Sequence, residues 1–159
     1  MTDSLDRYHD FERCTTINYF SPVRLIRNFL PALLESGHGQ IINSSTWGTL
    51  LPAARFGPYI GSKIALDKIS NTLRIELQDR GLAVTQIHYP LVHTEMSSAT
   101  QSFQKLPGMS AEQAAEWALK AIRKRPTEVM DIRTRFGRML YFLVPRLVER
   151  IARSSPFSS

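Results

Sequence analysis

Three short apolar runs, separated by longer stretches of helical periodicity, most limit what this chain can fold into. Residues 40–43 (Gln-Ile-Ile-Asn) are of the kind buried in a parallel sheet and lead into a polar terminus, Ser44-Ser45-Thr46. Residues 82–88 and 127–132 supply two further candidate strands. Ahead of the first strand, residues 10–35 read as a long helix, with Val23, Ile26, Leu30, Leu33 and Leu34 at helical spacing. Pro22 and Pro31 predict a kink or a frayed end in that helix, and Gly37 and Gly39 its stop. A second helix runs over 59–79 on an apolar stripe of Leu66, Ile69, Leu73 and Leu77, and Arg80-Gly81 ends it. Residues 89–108 read as irregular, and Ser110 caps a helix that reaches 124, with Glu112 in its first turn. A basic, apolar-faced helix over 138–153, broken near Pro145, follows the third strand. Right-handed crossovers through such helices build a parallel sheet, so an α/β fold is expected, with functional residues at the carboxyl ends of its strands. Three strands leave one sheet edge and much helix surface uncovered, which predicts that part of a larger sheet is absent.

Composition narrows the chemistry. The 159 residues, 43% of them hydrophobic, suffice for one globular core without cross-links. Cys14 is the only cysteine, so neither an intramolecular disulfide nor a thiolate metal cluster is available. It reads as a small buried apolar residue in a reducing, cytoplasmic setting. His9, His38, His88 and His93 show no ligand spacing with carboxylates or thiols, so no metal site is expected. The N-terminus has no signal-peptide core, and no window approaches the ~18 apolar residues of a membrane span. The net charge of +6 comes largely from the C-terminal third and reads first as a solvated face. No nucleic-acid motif accompanies it, so no nucleic-acid partner is expected. Residues 133–153 form a basic amphipathic extension whose other use is a peripheral membrane contact, with Leu140, Leu143, Leu147 and Ile151 laid into the interface.

The chemistry-bearing pair is Tyr59 and Lys63 in Tyr-Ile-Gly-Ser-Lys. A spacing of four puts both side chains on one helix face, within reach of each other or of a shared ligand. A neighbouring ammonium favours the phenolate, which is expected to lower the tyrosine pKa from about 10 toward neutrality and make Tyr59 a general acid or base. The positive end of the helix dipole acts in the same direction. On spacing alone the signal is weak, and a chance pairing on a helix explains Tyr59 and Lys63 better.

The surrounding text is more specific. Asn-Ser-Ser-Thr-Trp-Gly at 43–48, a Pro-containing loop, Tyr-Ile-Gly-Ser-Lys-Ile-Ala-Leu at 59–66, and Val-Thr-Gln-Ile-His-Tyr-Pro-Leu-Val-His-Thr at 84–94 occur in that order. Together they resemble the C-terminal half of the short-chain dehydrogenase/reductase family, over about residues 11–100 and more loosely beyond. Ala-Arg-Phe-Gly-Pro-Tyr-Ile-Gly-Ser-Lys, with Tyr-Pro-Leu-Val-His-Thr-Glu-Met and the following Ala99-Thr100, is also similar to reductase domains related to bacterial fatty acyl-CoA reductases. The resemblance implies that Tyr59 exchanges a proton with a carbonyl or alcohol oxygen as hydride passes to or from the nicotinamide of NAD or NADP. Lys63 would lower the Tyr59 pKa and bind the nicotinamide ribose, and Asn18 would hold a water that links Lys63 to solvent. Pro90, Val92 and Thr94 match the segment that meets the nicotinamide carboxamide. The family's serine stands thirteen residues before the tyrosine, where this chain has Thr46; either Thr46 fills that role or a local shift presents Ser45. Leu91 stands where the family often has Gly, which is expected to perturb the local turn. Met96, Phe103 and Met109 fall where the family places its substrate loop, and an apolar or fatty acyl substrate would suit them. Trp47 and Trp117 read as pocket lining or core.

No Gly-rich dinucleotide motif occurs in the sequence. The expectation is therefore one partial domain over 1–159, a Rossmann-like sheet cut to about its last three strands, without the N-terminal dinucleotide-binding half. Such a chain is expected to act on a small-molecule carbonyl or alcohol with weakened NAD or NADP binding, and to form a homo-oligomer through the helices that hold Asn18 and Tyr59. The alternative is a non-catalytic fragment that serves as an interaction or membrane-peripheral module.

Overall fold

The computed structural model describes residues 5–98, 101–104 and 106–153. A short 3₁₀ turn leads into α1 (Tyr8–Thr15), a π-helical turn (Thr16–Phe20) and α2 (Ser21–Glu35), which run on without a break. β1 (Gln40–Thr46), α3 (Gly57–Leu77) and β2 (Ala83–Tyr89) follow. Two short helices, α4 (Glu95–Ser98) and α5 (Gln101–Gln104), precede α6 (Ala111–Lys124), β3 (Glu128–Val129), α7 (Ile132–Leu143) and α8 (Pro145–Arg153). The strands pair in parallel in the order β1-β2-β3. Gln40 lies opposite Ala83 and Thr46 opposite Tyr89, so the two longer strands end level with each other.

Alternation of side chains along the strands divides the interior in two. On one face, Ile41, Leu82 and Val84 pack with Ile26, Leu30, Leu33 and Leu34 of α2 and with Leu73 and Leu77 of α3. On the other, Ile87, Ala121 and Val129 pack with Ile42, Tyr89, Trp117 and Ala118, and Trp117 stacks on Tyr89 at 5.9 Å. Helices thus cover both faces, as a parallel sheet requires.

Several elements differ from the sequence expectation for physical reasons. In place of a kink at Pro22 the structure has a π turn that ends two residues earlier, at Phe20. Proline has no N–H to return to the carbonyl of Asn18, and the Ser21 N–H and hydroxyl reach back to Thr16 instead. β1 runs through Ser44-Ser45-Thr46 rather than stopping at Asn43, because β2 continues beside it. The third strand is only Glu128–Val129, since the Asp131 carboxylate accepts the Thr134 N–H at 2.6 Å and opens α7 there. The final helical stretch thus begins at Ile132 rather than at 138, and it breaks at Val144 before Pro145, as expected. Ser110 caps α6 as expected, and Gln113 completes the capping box. Cys14 is half-buried rather than buried. Gly81 is required at its turn: its φ is +75°, and a Cβ would collide with the Gly37 carbonyl oxygen.

The α3-facing side of the sheet turns polar toward the carboxyl ends. Asn43 donates to Ser70 at 2.7 Å, Ser45 donates to Asp67 at 2.8 Å, and the Gln86 amide donates to the Asp67 main-chain carbonyl at 2.8 Å. His88 completes this layer, with its Nδ1 3.2 Å from the Thr49 hydroxyl and 3.9 Å from Asp67. Its Nε2 lies 3.9 Å from Glu128 and has no hydrogen-bond partner. Burial holds the His88 imidazole below its ordinary pKa of 6.5, against the pull of Asp67, Glu128 and the Thr46 carbonyl, with Arg138 adding to the depression. Between the depressed value and about 6.5 the unfolded chain binds more protons, so this contribution to stability is complete above about pH 6.5. It is lost as the pH falls through the folded value. Urea unfolding of the wild type and His88→Gln from neutral to acid pH should therefore show a shallower loss of stability in the variant; equal slopes would contradict a buried neutral His88.

Candidate active site

β1 and β2 end at a cavity of about 530 Å³, lined by Thr46, Trp47, Tyr59, Pro90, Val92 and Phe103 among others. Carboxyl ends of parallel strands are where side chains from several crossovers converge. Tyr59 enters from the first turn of α3, which begins at Gly57-Pro58 with proline where its missing N–H is harmless.

Strand parity decides which hydroxyl meets Tyr59. Ser45 is 3% exposed and points under the sheet to Asp67, where its donor is used. Thr46 has the opposite parity: its hydroxyl accepts from the Gly48 N–H at 3.4 Å, and it shares the cavity wall with Tyr59. The Thr46 carbonyl accepts from the Thr49 hydroxyl at 2.9 Å, which fixes the turn after β1.

Tyr59 and Lys63 share a helix face, and the ammonium approaches the ring without a hydrogen bond to the phenol. The Lys63 ammonium lies 6.0 Å from the Tyr59 ring centroid and donates to the Ser44 carbonyl at 2.8 Å. The expected lowering of the phenol pKa is not found. Burial pushes Tyr59 above its ordinary 10.0, opposed by the neighbouring Thr46 hydroxyl and reinforced by Cys14 and Asp67. Burial also lowers Lys63 below 10.5, against the attraction of Asp67. With its pKa raised, Tyr59 is a protonated acid at neutral pH.

Asn18 sits in the π turn and reaches α3 directly. Its amide donates to the Ser62 hydroxyl at 3.1 Å, and Ser62 donates to the Tyr59 main-chain carbonyl at 2.7 Å. Residues 91–93 are held by Met109, whose N–H donates to the Leu91 carbonyl at 2.8 Å and whose carbonyl accepts from His93 at 2.9 Å. This bridge places Pro90 and Val92 on the cavity wall, while Thr94 at the rim is tied to Ser97. Leu91 has an unstrained φ, so the turn tolerates a residue other than Gly there. Trp47 lines the cavity, and Phe103 both lines it and contacts Phe56 at 6.0 Å. Met109 acts through its backbone; the Met96 side chain and Ala99-Thr100 lie outside the described residues. Asp67, Thr49 and His88, the polar support beneath Thr46, were not anticipated from the sequence. The signal was polar residues at 43 and 45 and again at 86 and 88, two apart in adjacent strands.

A sequence profile described as short chain dehydrogenase matches residues 2–105. The chain belongs to that family. A fatty acyl-CoA reductase of Mycobacterium tuberculosis is 42% identical over 130 residues, covering 81% of this chain and 44% of the relative. A fatty acyl-CoA reductase of Acinetobacter baylyi is 41% identical over 143 residues, covering 90% and 48%. The chain thus spans about half the length of the curated relatives it matches. Among solved structures, a short-chain dehydrogenase from Burkholderia cenocepacia in complex with NADP superposes with a TM-score of 0.76 at 22% identity, over 89% of this chain and 58% of that one. One from Sphingobium yanoikuyae in complex with NADPH gives 0.71 at 21% identity, over 91% and 58%. These likenesses establish a Rossmann-type fold for the three-stranded sheet and its helices.

The site makes a direct spectroscopic prediction. The pH difference absorbance of the wild type minus Tyr59→Phe should place Tyr59 ionisation above about pH 10. A midpoint below that value would show that Lys63, not burial, governs the phenol.

Proposed function

We propose that this chain carries the acid/base half of an NAD(P)-dependent reductase that acts on the carbonyl of an apolar, fatty acyl-type substrate. The observation that carries the proposal is the Thr46–Tyr59 hydroxyl pair at the wall of a largely apolar cavity, with Lys63 one helical turn along. The relatives named fatty acyl-CoA reductases support the substrate class, as do Phe56, Leu91, Val92 and Phe103 on the cavity wall.

The residues present fit the nicotinamide end of the cofactor. Lys63 is a half-buried donor held at the Ser44 carbonyl, suited to ribose hydroxyls, and Pro90, Val92 and Thr94 form a braced wall for the ring and its carboxamide. No glycine-rich phosphate turn occurs in this sequence, so the pyrophosphate has no cradle of the usual kind and binding is expected to be weak. When bound, the nicotinamide supplies or accepts the hydride. In the reductive direction Tyr59 gives its proton to the carbonyl oxygen as negative charge develops there. Thr46 donates a hydrogen bond to the same oxygen, and the Lys63 ammonium stabilises the phenolate left behind until solvent returns a proton. Ser45 stays out of the chemistry and holds the strand. Asn18 acts through Ser62 on the first turn of α3, keeping Tyr59 aimed.

Self-association through the α1–α2 and α3 layer fits the same reading. Leu25 and Phe29 on α2 and Ile64 and Ile75 on α3 are large apolar residues left exposed.

Reduction of a long-chain fatty acyl-CoA by the purified chain, followed at NADPH absorbance, tests the proposal. Turnover should appear only at NADPH levels well above the micromolar range and should fall by roughly 10²–10⁴-fold in Tyr59→Phe. Undiminished turnover in that variant, or micromolar NADPH saturation, would contradict it.

A further inference from the structure

Neither the cavity nor the acid/base set uses the solvent side of α7 and α8. α7 packs inward through buried Thr134 and through Gly137, where an added Cβ would stand 3.1 Å from Leu51. Arg138 ties the helix to β3 by two hydrogen bonds to the Glu128 carboxylate at 2.9 and 3.1 Å. At 3.6 residues per turn, Ile132, Phe136, Met139 and Leu143 fall within a wedge of roughly 60° on the opposite side. All four are exposed, Ile132 to 76%, and Phe142 beside them reaches 85%. α8 continues the surface with Leu147 and Ile151, one turn apart and both exposed. Leu140, counted with this face from the sequence, is half-buried and belongs to the edge of the packed side.

Charge says what such a face meets. Residues 131–153 hold six arginines against one Asp and one Glu. Both acids are engaged, Asp131 as the α7 cap and Glu149 as acceptor from the Tyr141 hydroxyl at 3.3 Å. Arg133 and Arg135 flank the apolar wedge on its two sides, and Arg146 and Arg150 are exposed on α8. A self-complementary contact between two copies would set these arginines against each other. A strand added at the open edge of β1 would lie at the far end of the sheet from α7, which is tied to β3. No helix among the described residues is long and apolar enough to cross a membrane. We propose that α7 and α8 seat this protein on an anionic membrane surface, the apolar face among the acyl chains and the arginines against lipid phosphates.

Flotation of the whole chain with phosphatidylcholine vesicles, with and without phosphatidylglycerol, tests this. The protein should rise with the anionic vesicles, stay at the bottom with phosphatidylcholine alone, and detach as salt is raised. Arg133→Gln and Arg146→Gln should each weaken partitioning by about fivefold. The double change Phe136→Asp and Phe142→Asp should abolish flotation and leave the circular dichroism and melting temperature unchanged, since both rings are exposed. Absence of flotation with anionic vesicles, or equal flotation with neutral ones, would overturn the proposal. So would a dimer in sedimentation that Phe142→Asp dissolves with no vesicle-bound fraction, because the face would then belong to a second copy.

Discussion

The phase of β1 depends on the buried hydrogen bond from the Ser45 hydroxyl to the Asp67 carboxylate. Side chains alternate along a strand, so a slip of one residue would turn Thr46 under the sheet and part Ser45 from Asp67. A hydrogen bond to a charged group contributes about 1.5–3 kcal/mol. A slipped strand would forfeit that bond and strand Asp67, whose other oxygen already lacks a partner. The same slip would break Asn43 away from Ser70 and pull Ile41 out of the α2–α3 core. Apolar packing and the polar layer therefore select one phase together, and that phase presents Thr46 to Tyr59.

The environment this creates is dry on one side and open on the other. Beneath the strand ends, His88 is held neutral among Asp67, Thr49 and Glu128. Above them the cavity wall is mostly apolar, and burial keeps the Tyr59 phenol protonated. That state suits delivery of a proton to a carbonyl more than removal of one from an alcohol. Lys63 is turned to the Ser44 carbonyl, with its ammonium 6.0 Å from the Tyr59 ring centroid.

Much of this was legible before any coordinates. The interval of four between Tyr59 and Lys63 means one helical turn wherever it occurs in a helix, and the strand–helix order implied a parallel sheet with its site at the carboxyl ends. The choice between Thr46 and Ser45 was not legible. Parity depends on what covers each face of the strand, and Asp67 is twenty-two residues away from Ser45 on another element. The Tyr59 pKa was misread for a similar reason, because sequence spacing reports the nearby lysine but not the burial of the phenol. At the C-terminal end, Asp131 reads as part of a strand in the sequence, because nothing local reports that its carboxylate caps α7. Pro22 announced a distortion, but only backbone hydrogen bonding shows a π turn that carries Asn18 to Ser62.

The assignment of the reacting hydroxyl to Thr46, with Ser45 as the strand's anchor, is tested most directly by comparing two substitutions. NADPH-dependent carbonyl reduction should fall by about 10²–10³-fold in Thr46→Val, as for loss of one donor to a developing oxyanion. Ser45→Ala should instead unfold at a lower temperature while keeping its turnover within a few-fold. A Ser45→Ala variant that loses turnover at unchanged stability, beside a Thr46→Val variant that keeps it, would contradict the assignment.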